Sequence, residues 1–506
     1  MRLHAAVASA FVLVTVVLAL PSCSSDDSAA TTTGADGGPE GGLPEAAPPD
    51  DAAPDGSTPT GEYRSGTRLR AVVTSGGGTK LFTRFHDTML NVDCTYVPLA
   101  GGDRYCAPTS ALSGKVYFTD DKCTQKIVAW NATCAPATPD KYAQYTDDTV
   151  ACPTPEVLEL GVATPPASTY EKQGTACNAY AGPALTYRSV TRTVPASELV
   201  KATITREPRG KQLSASYLDG ADGSRQPLGV EDGAPYAGPC EPGEMGDGTL
   251  RCLPKVVAFL ENIYSDGTCM TDAAYKPAYG GEGCGLPPVA LLGSTKTDCL
   301  PFAPAYFAVG AKAAGPFFQG SPGSCNPLAA TPAAGSTYWG KGAAIADTVF
   351  ASLKHVHGAG TPLGLESITV DTGEVVRTST FWDPARNGTC TAAKAADGKT
   401  RCIGRTANIY VWADAGCTQP LAAIPQVPVT CAAAAVPTHV WFDTPPADNC
   451  GPSTTRAYKV GAKATPVQVF SGSSCVGGAP DPTLDYYATT GEVPAAELVE
   501  MTEVTE

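Results

Sequence analysis

Residues 94–106 read CTYVPLAGGDRYC, residues 240–252 read CEPGEMGDGTLRC and residues 390–402 read CTAAKAADGKTRC. Each stretch has a cysteine at both ends, twelve residues apart, and the three starts are offset by 146 and 150 residues. Each opens a set of six cysteines. The first set is Cys94, Cys106, Cys123, Cys134, Cys152 and Cys177; the second is Cys240, Cys252, Cys269, Cys284, Cys299 and Cys325; the third is Cys390, Cys402, Cys417, Cys431, Cys450 and Cys475. The last step in the sets is 25, 26 and 25 residues. Self-similarity at a fixed period marks a repeat architecture. The chain divides into repeats at 62–206, 207–357 and 358–506.

Other signatures keep the same period. An aromatic-x-Asp-x-x-Cys segment recurs as Phe118/Asp120/Cys123, Tyr264/Asp266/Cys269 and Trp412/Asp414/Cys417. Its aspartate suits a turn in which the carboxylate accepts a backbone N–H two residues on. Glycine follows an apolar residue at Gly161, Gly310 and Gly461, read as hairpins. Tyr187/Val194/Leu199, Tyr338/Ile345/Phe350 and Tyr486/Val493/Leu498 close the repeats with spacings of seven and five. Val194-Pro195-Ala196 and Val493-Pro494-Ala495 read as a short helical turn with proline first.

The expected fold is all-β. Glycine and proline number 53 and 45 of 506 residues, which favours strands and turns. Asp-Gly turn dipeptides at Asp222, Asp247 and Asp397 separate alternating runs, and about eight short strands are expected per repeat. No segment carries helical apolar spacing over three turns. The sixth cysteine sits in Phe318-x-Gly320 to Cys325 and Phe470-x-Gly472-x-x-Cys475, a faint copy of the third cysteine's motif. Two four-stranded halves per repeat would give the six sheets of a propeller-like ring. The segment Leu498 to Val504 matches Leu199 to Thr205, and is expected to close that ring against Thr67 to Val73. The alternative is three tandem β-sandwich domains of about 145 residues, each large enough to fold alone.

The nineteenth cysteine, Cys23, stands apart. Arg2 precedes an apolar run from Ala5 to Leu20, too short for a membrane span of about 20 residues. The run ends in Leu20-Pro21-Ser22-Cys23, which resembles the lipobox of bacterial lipoprotein precursors. The resemblance implies a signal peptide at 1–22 and a mature chain whose first residue, Cys23, carries lipid. Ser24 in place of aspartate leans, by analogy with the family, toward the outer membrane. Residues 23–61 are low-complexity and acidic, a composition that cannot bury enough surface to order itself. They read as a lipidated tether of typical span about 35 Å.

With Cys23 lipidated, the other eighteen cysteines can all pair, the default in an oxidising compartment. Six cysteines allow fifteen pairings. Sequential pairing gives Cys94–Cys106, Cys123–Cys134, Cys152–Cys177, Cys240–Cys252, Cys269–Cys284, Cys299–Cys325, Cys390–Cys402, Cys417–Cys431 and Cys450–Cys475, each spanning a hairpin-sized loop. The constant first step supports the first pair of each set most strongly.

No catalytic constellation, cofactor or metal site is expected. Nucleophile-elbow, phosphate-loop and HExxH motifs are missing. His355-Val356-His357 puts two imidazoles on one strand face, but no third ligand is evident. His86-Asp87 are adjacent and would face opposite ways on a strand. The stretch from Asp219 to Asp222 has too few carboxylates for calcium. Of Trp130, Trp339, Trp382, Trp412 and Trp441, Trp412 reads as core, while Trp382 and Trp441 are the exposed candidates for a ligand surface. A net charge of −15 is the wrong sign for nucleic acid. The expectation is a lipid-anchored envelope protein that presents a repeat surface for binding or scaffolding a protein or glycan. The alternative is a glycan-acting hydrolase with an asymmetric carboxylate site in one repeat.

Overall fold

The computed structural model describes residues 62–506, except 100–101, 110–114, 133–139, 148–153, 174–175, 277–288, 296–302, 329–336, 405–410, 427–435, 445–452, 472–474 and five gaps of one or two residues. The fold is all-β and divided among several sheets. Three four-stranded antiparallel meanders carry the centre. The first runs Leu69–Gly76, Thr79–Asp87, Val92–Pro98 and Arg104–Pro108. The second runs Leu213–Gly220, Arg225–Asp232, Gly238–Glu244 and Leu250–Pro254. The third runs Gly364–Val370, Val375–Asp383, Gly388–Lys394 and Thr400–Gly404.

Each meander gains a fifth strand on its first edge. Lys201–Arg209 pairs with Leu213–Gly220, and Leu353–His357 pairs with Gly364–Val370. The C-terminal strand Met501–Thr505 pairs with Leu69–Gly76, placing Thr505 opposite Val72 and Met501 opposite Gly76. Each fourth strand meets the next fifth strand through the same backbone bond. The N–H groups of Cys106, Cys252 and Cys402 donate to the carbonyls of Val200, Ala351 and Val499, all at 2.9 Å.

The remaining strands build sheets between the meanders. Two seven-stranded sheets, within Lys115–Thr193 and Val411–Val493, curl into half-barrels. Between them, strands from Val257–Phe259 to Thr337–Ala344 close a five-stranded barrel beside a three-stranded sheet. The sheets are therefore not six four-stranded blades. Among the described residues twelve strands lie between Leu69 and Arg209, against the eight expected. The additional ones are short pieces of four or five residues that turn signals do not resolve. Gly310 and Gly461 lie inside long strands at register shifts rather than at hairpin tips.

Apolar alternation explains the packing. Leu69, Ala71, Phe85 and the Cys94–Cys106 disulfide form one central cluster with Leu218. Leu213, Val230 and Cys240–Cys252 form another with Ile368, and Leu363, Phe381 and Cys390–Cys402 a third with Met501. The closing signature of each repeat pins a 3-10 turn against its neighbouring sheet. Val194 and Leu199 flank Ala196–Glu198, Ile345 and Phe350 flank Asp347–Val349, and Val493 and Leu498 flank Ala495–Glu497. Pro195 and Pro494 are the caps of these turns, one position earlier than expected.

The disulfides depart from sequential pairing after the first step. The third cysteine of each set bonds the sixth, as Cys123–Cys177, Cys269–Cys325 and Cys417–Cys475. These replace the expected Cys123–Cys134, Cys152–Cys177, Cys269–Cys284, Cys299–Cys325, Cys417–Cys431 and Cys450–Cys475. The cause is non-local strand pairing. Lys115–Phe118, just before Cys123, pairs with Tyr170–Gln173, whose hairpin partner carries Cys177. Ile263–Tyr264 and Val411–Trp412 capture the hairpins of Cys325 and Cys475 in the same way. Cys134, Cys152, Cys284, Cys299, Cys431 and Cys450 lie outside the described residues, as does Cys23.

Candidate functional site

The triplicated aspartates Asp120, Asp266 and Asp414 are turn elements. Asp120 accepts the N–H groups of Thr124 and Gln125 at 2.9 and 2.7 Å, and Asp414 those of Thr418 and Gln419 at 3.0 and 2.6 Å. Asp266 accepts those of Thr268 and Thr271. The hydroxyls of Thr268 and Thr418, and that of Thr124 on Asp120, donate as well, and together with these N–H groups they hold all three carboxylates below the usual carboxylate range. The turn ends on a cysteine with positive φ, at 52°, 55° and 49°.

Asp219 and Asp222 have protein partners in place of a cation. Arg225 and Thr205 engage Asp219. Asp222 accepts the N–H groups of Arg68 and Leu69 on one oxygen and Ser224 on the other. Gly66 packs against this carboxylate so closely that a Cβ would collide with it.

Trp441 is buried at 4% exposure, and its indole lies where a Cβ on Gly404 would sit, so it belongs to the core. The expectation of an exposed Trp441 is corrected on this packing. Trp382 is half-buried and stacks on His357, with ring centroids 3.5 Å apart and planes 8° from parallel. His355 and His357 share one carboxylate oxygen of Glu366, at 3.1 and 3.5 Å. Strand pairing causes this, since His357 lies opposite Glu366 and Gly364 opposite Trp382. Among the described residues no group of three or more His, Cys, Asp or Glu is placed to hold a metal ion. His86 turns to Asp93 on the next strand, at 2.9 Å, while Asp87 turns inward to Arg68. His439 bonds Thr438, and burial lowers its pKa.

The chain enters the fold across all three meanders. Thr378 donates to the Glu62 carboxylate through its N–H and hydroxyl at 3.1 and 2.7 Å. Tyr63 stacks on Phe82, and Arg64 exchanges backbone bonds with Arg225. Ser65 donates to the Glu506 carbonyl. Beneath this strap lies a cavity of about 250 Å³, lined by Glu62, Lys80, Phe82, Tyr217, Leu365 and Thr378 among others. Burial raises the Glu62 pKa, outweighing the Thr378 hydrogen bonds and the Arg377 charge. No sequence signal marks Glu62.

A model of the family of unknown function DUF7481 matches residues 68–350, more than half of the chain. The chain belongs to that family. No curated protein and no solved structure matches it.

Proposed function

We propose that this DUF7481 chain is a lipid-anchored protein of the cell envelope, probed by its partners as a rigid ring of three related units held off the membrane on a tether. In this reading each unit is one meander with its fifth strand, and the last unit lends its closing strand to the first. The observation that carries the ring is the recurrence of one hydrogen bond, cysteine N–H to carbonyl, at all three junctions. The anchor rests on Leu20-Pro21-Ser22-Cys23, and the outer membrane on Ser24.

Binding or scaffolding is better supported than glycan hydrolysis. Two acting carboxylates would have to face one another across an open cleft, about 5–9.5 Å apart. Among the described residues lining the cavity beneath the strap, Glu62 is the single carboxylate and Thr378 occupies it, while Glu231, Asp232 and Glu241 of a second cavity are engaged by Arg206, Gln212 and Lys255. The test is fractionation of cells expressing Cys23→Ser. Release of the variant into the soluble fraction, with loss of palmitate labelling, is the expected outcome; retention of the variant on membranes rejects the anchor.

A further inference from the structure

A second cavity, of about 370 Å³, opens where the first meander hands over to the second. Arg104 comes from the first, Ile204, Arg206, Ser214 and Glu231 from the strands of the second, and Arg377 from the third. Its volume falls in the range of small-molecule sites, about 300–1,000 Å³.

The lining carries four cations, Arg104, Arg206, Lys255 and Arg377, against three carboxylates, Glu231, Asp232 and Glu241, an excess of one positive charge. Arg206 takes Glu231 at 2.5 Å, and Lys255 takes Glu241 at 2.9 Å. Gln212 donates to both oxygens of Asp232 at 3.0 Å. Among the described residues the side chains of Arg104 and Arg377 make no hydrogen bond or ion pair, although the Glu231 charge acts on Arg104 and the Arg377 charge acts on Glu62. The Ser214 hydroxyl is also without a partner there. Burial depresses the Arg104 pKa, and the already engaged Glu231 offsets this only in part. A half-buried guanidinium without a hydrogen-bonded counter-charge is costly to keep in a fold. Ile204, Leu228 and Pro239 supply apolar wall beside the two cations.

We infer that this cavity binds a small organic anion, its oxyanion on Arg104 and Arg377 and its apolar body against Ile204, Leu228 and Pro239. Guanidinium groups recognise carboxylates through paired, charge-assisted bonds, which favours a carboxylate. The inference depends neither on the lipid anchor nor on ring closure.

The test is calorimetric titration of the full-length protein in detergent with benzoate, with neutral benzamide and inorganic phosphate as the other arms. Saturable one-to-one binding of benzoate, without binding of benzamide, is expected. Arg104→Gln and Arg377→Gln should each weaken it about tenfold or more, as loss of a charged hydrogen bond does. Arg104→Gln removes a half-buried charge that makes no ion pair, so it should melt no lower than the unmodified protein. Ser214→Asp, which puts a carboxylate into the cavity, is a second variant and should abolish binding. Absence of saturable benzoate binding overturns the inference, as does phosphate binding in its place. So does benzoate binding that survives Ser214→Asp unchanged.

Discussion

Three buried aspartates fasten the meanders to the 3-10 turns. Asp87, Asp232 and Asp383 end the second strands and are 0%, 4% and 3% exposed. Arg68 grips Asp87 with two bonds, at 2.8 and 2.6 Å, and reaches the Glu198 carbonyl. Gln212 joins Asp232 to the Val349 carbonyl, and Arg386 joins Asp383 to that of Glu497. The donor varies, yet the carboxylate and the carbonyl stay in corresponding places. Removing one partner of a buried pair leaves the other charge unsolvated. Arg68→Ala is therefore expected to cost about 3–5 kcal/mol. Arg68→Met combined with Asp87→Leu should cost clearly less, and urea denaturation of both variants checks the difference. A signal for this motif stood in the sequence. An aspartate precedes the first cysteine of each set by seven or eight residues. Its donors could not be read because they come from different positions, Arg68 and Gln212 before the first strand and Arg386 in the turn after the second.

Among the elements, the third–fourth strand hairpin was the most legible, because a twelve-residue cysteine step across a glycine-containing turn is a local feature. The third–sixth disulfides were not, since they span 54, 56 and 58 residues and depend on which distant hairpin a short strand captures. The resemblance between the sixth cysteine's motif and the third's pointed to a shared site. The half-repeat expected from it is not required by the observed sheets, which are of unequal size. The candidate ligand surface fared unevenly. Trp441 follows buried Val440 in the strand His439–Thr444 and packs against Ala395 and Ile403 of a neighbouring sheet, a contact absent from the linear pattern.

The entry strap carries a pH-dependent term. Burial raises the Glu62 pKa, so the unfolded chain gives up this proton at lower pH than the folded one. Stability therefore falls as pH rises from the ordinary carboxyl value through the raised one. Glu62→Gln keeps an acceptor for Thr378 and removes the charge. It is expected to stabilise the protein at pH 7 by about 1 kcal/mol or less, and to have no effect near pH 4 or below. Thermal melts at both pH values check this. An equal effect at the two would show that the carboxylate's charge is not the cause.

At the scale of the molecule, the ring reading makes the C-terminal strand a structural keystone rather than a fraying end. Met501 is buried with Leu363 and Phe381, and Glu503 takes Arg84 at 2.6 and 2.7 Å. Glu506 meets both Tyr63 and Ser65 of the strap, so the two ends of the folded chain are joined to each other. Terminal residues seldom carry much stability unless a sheet ties them down. Deleting residues 501–506 is expected to cost more than about 3 kcal/mol, since it removes a buried methionine together with a five-residue ladder. The same deletion exposes the Leu69–Gly76 edge, which can accept an added strand. A synthetic peptide of residues 499–506 should therefore restore most of the lost melting temperature, and a peptide with Met501 changed to Asp should not. If the truncated protein melts within a degree or two of the intact one, the strand closes nothing and the three units are held by their other contacts.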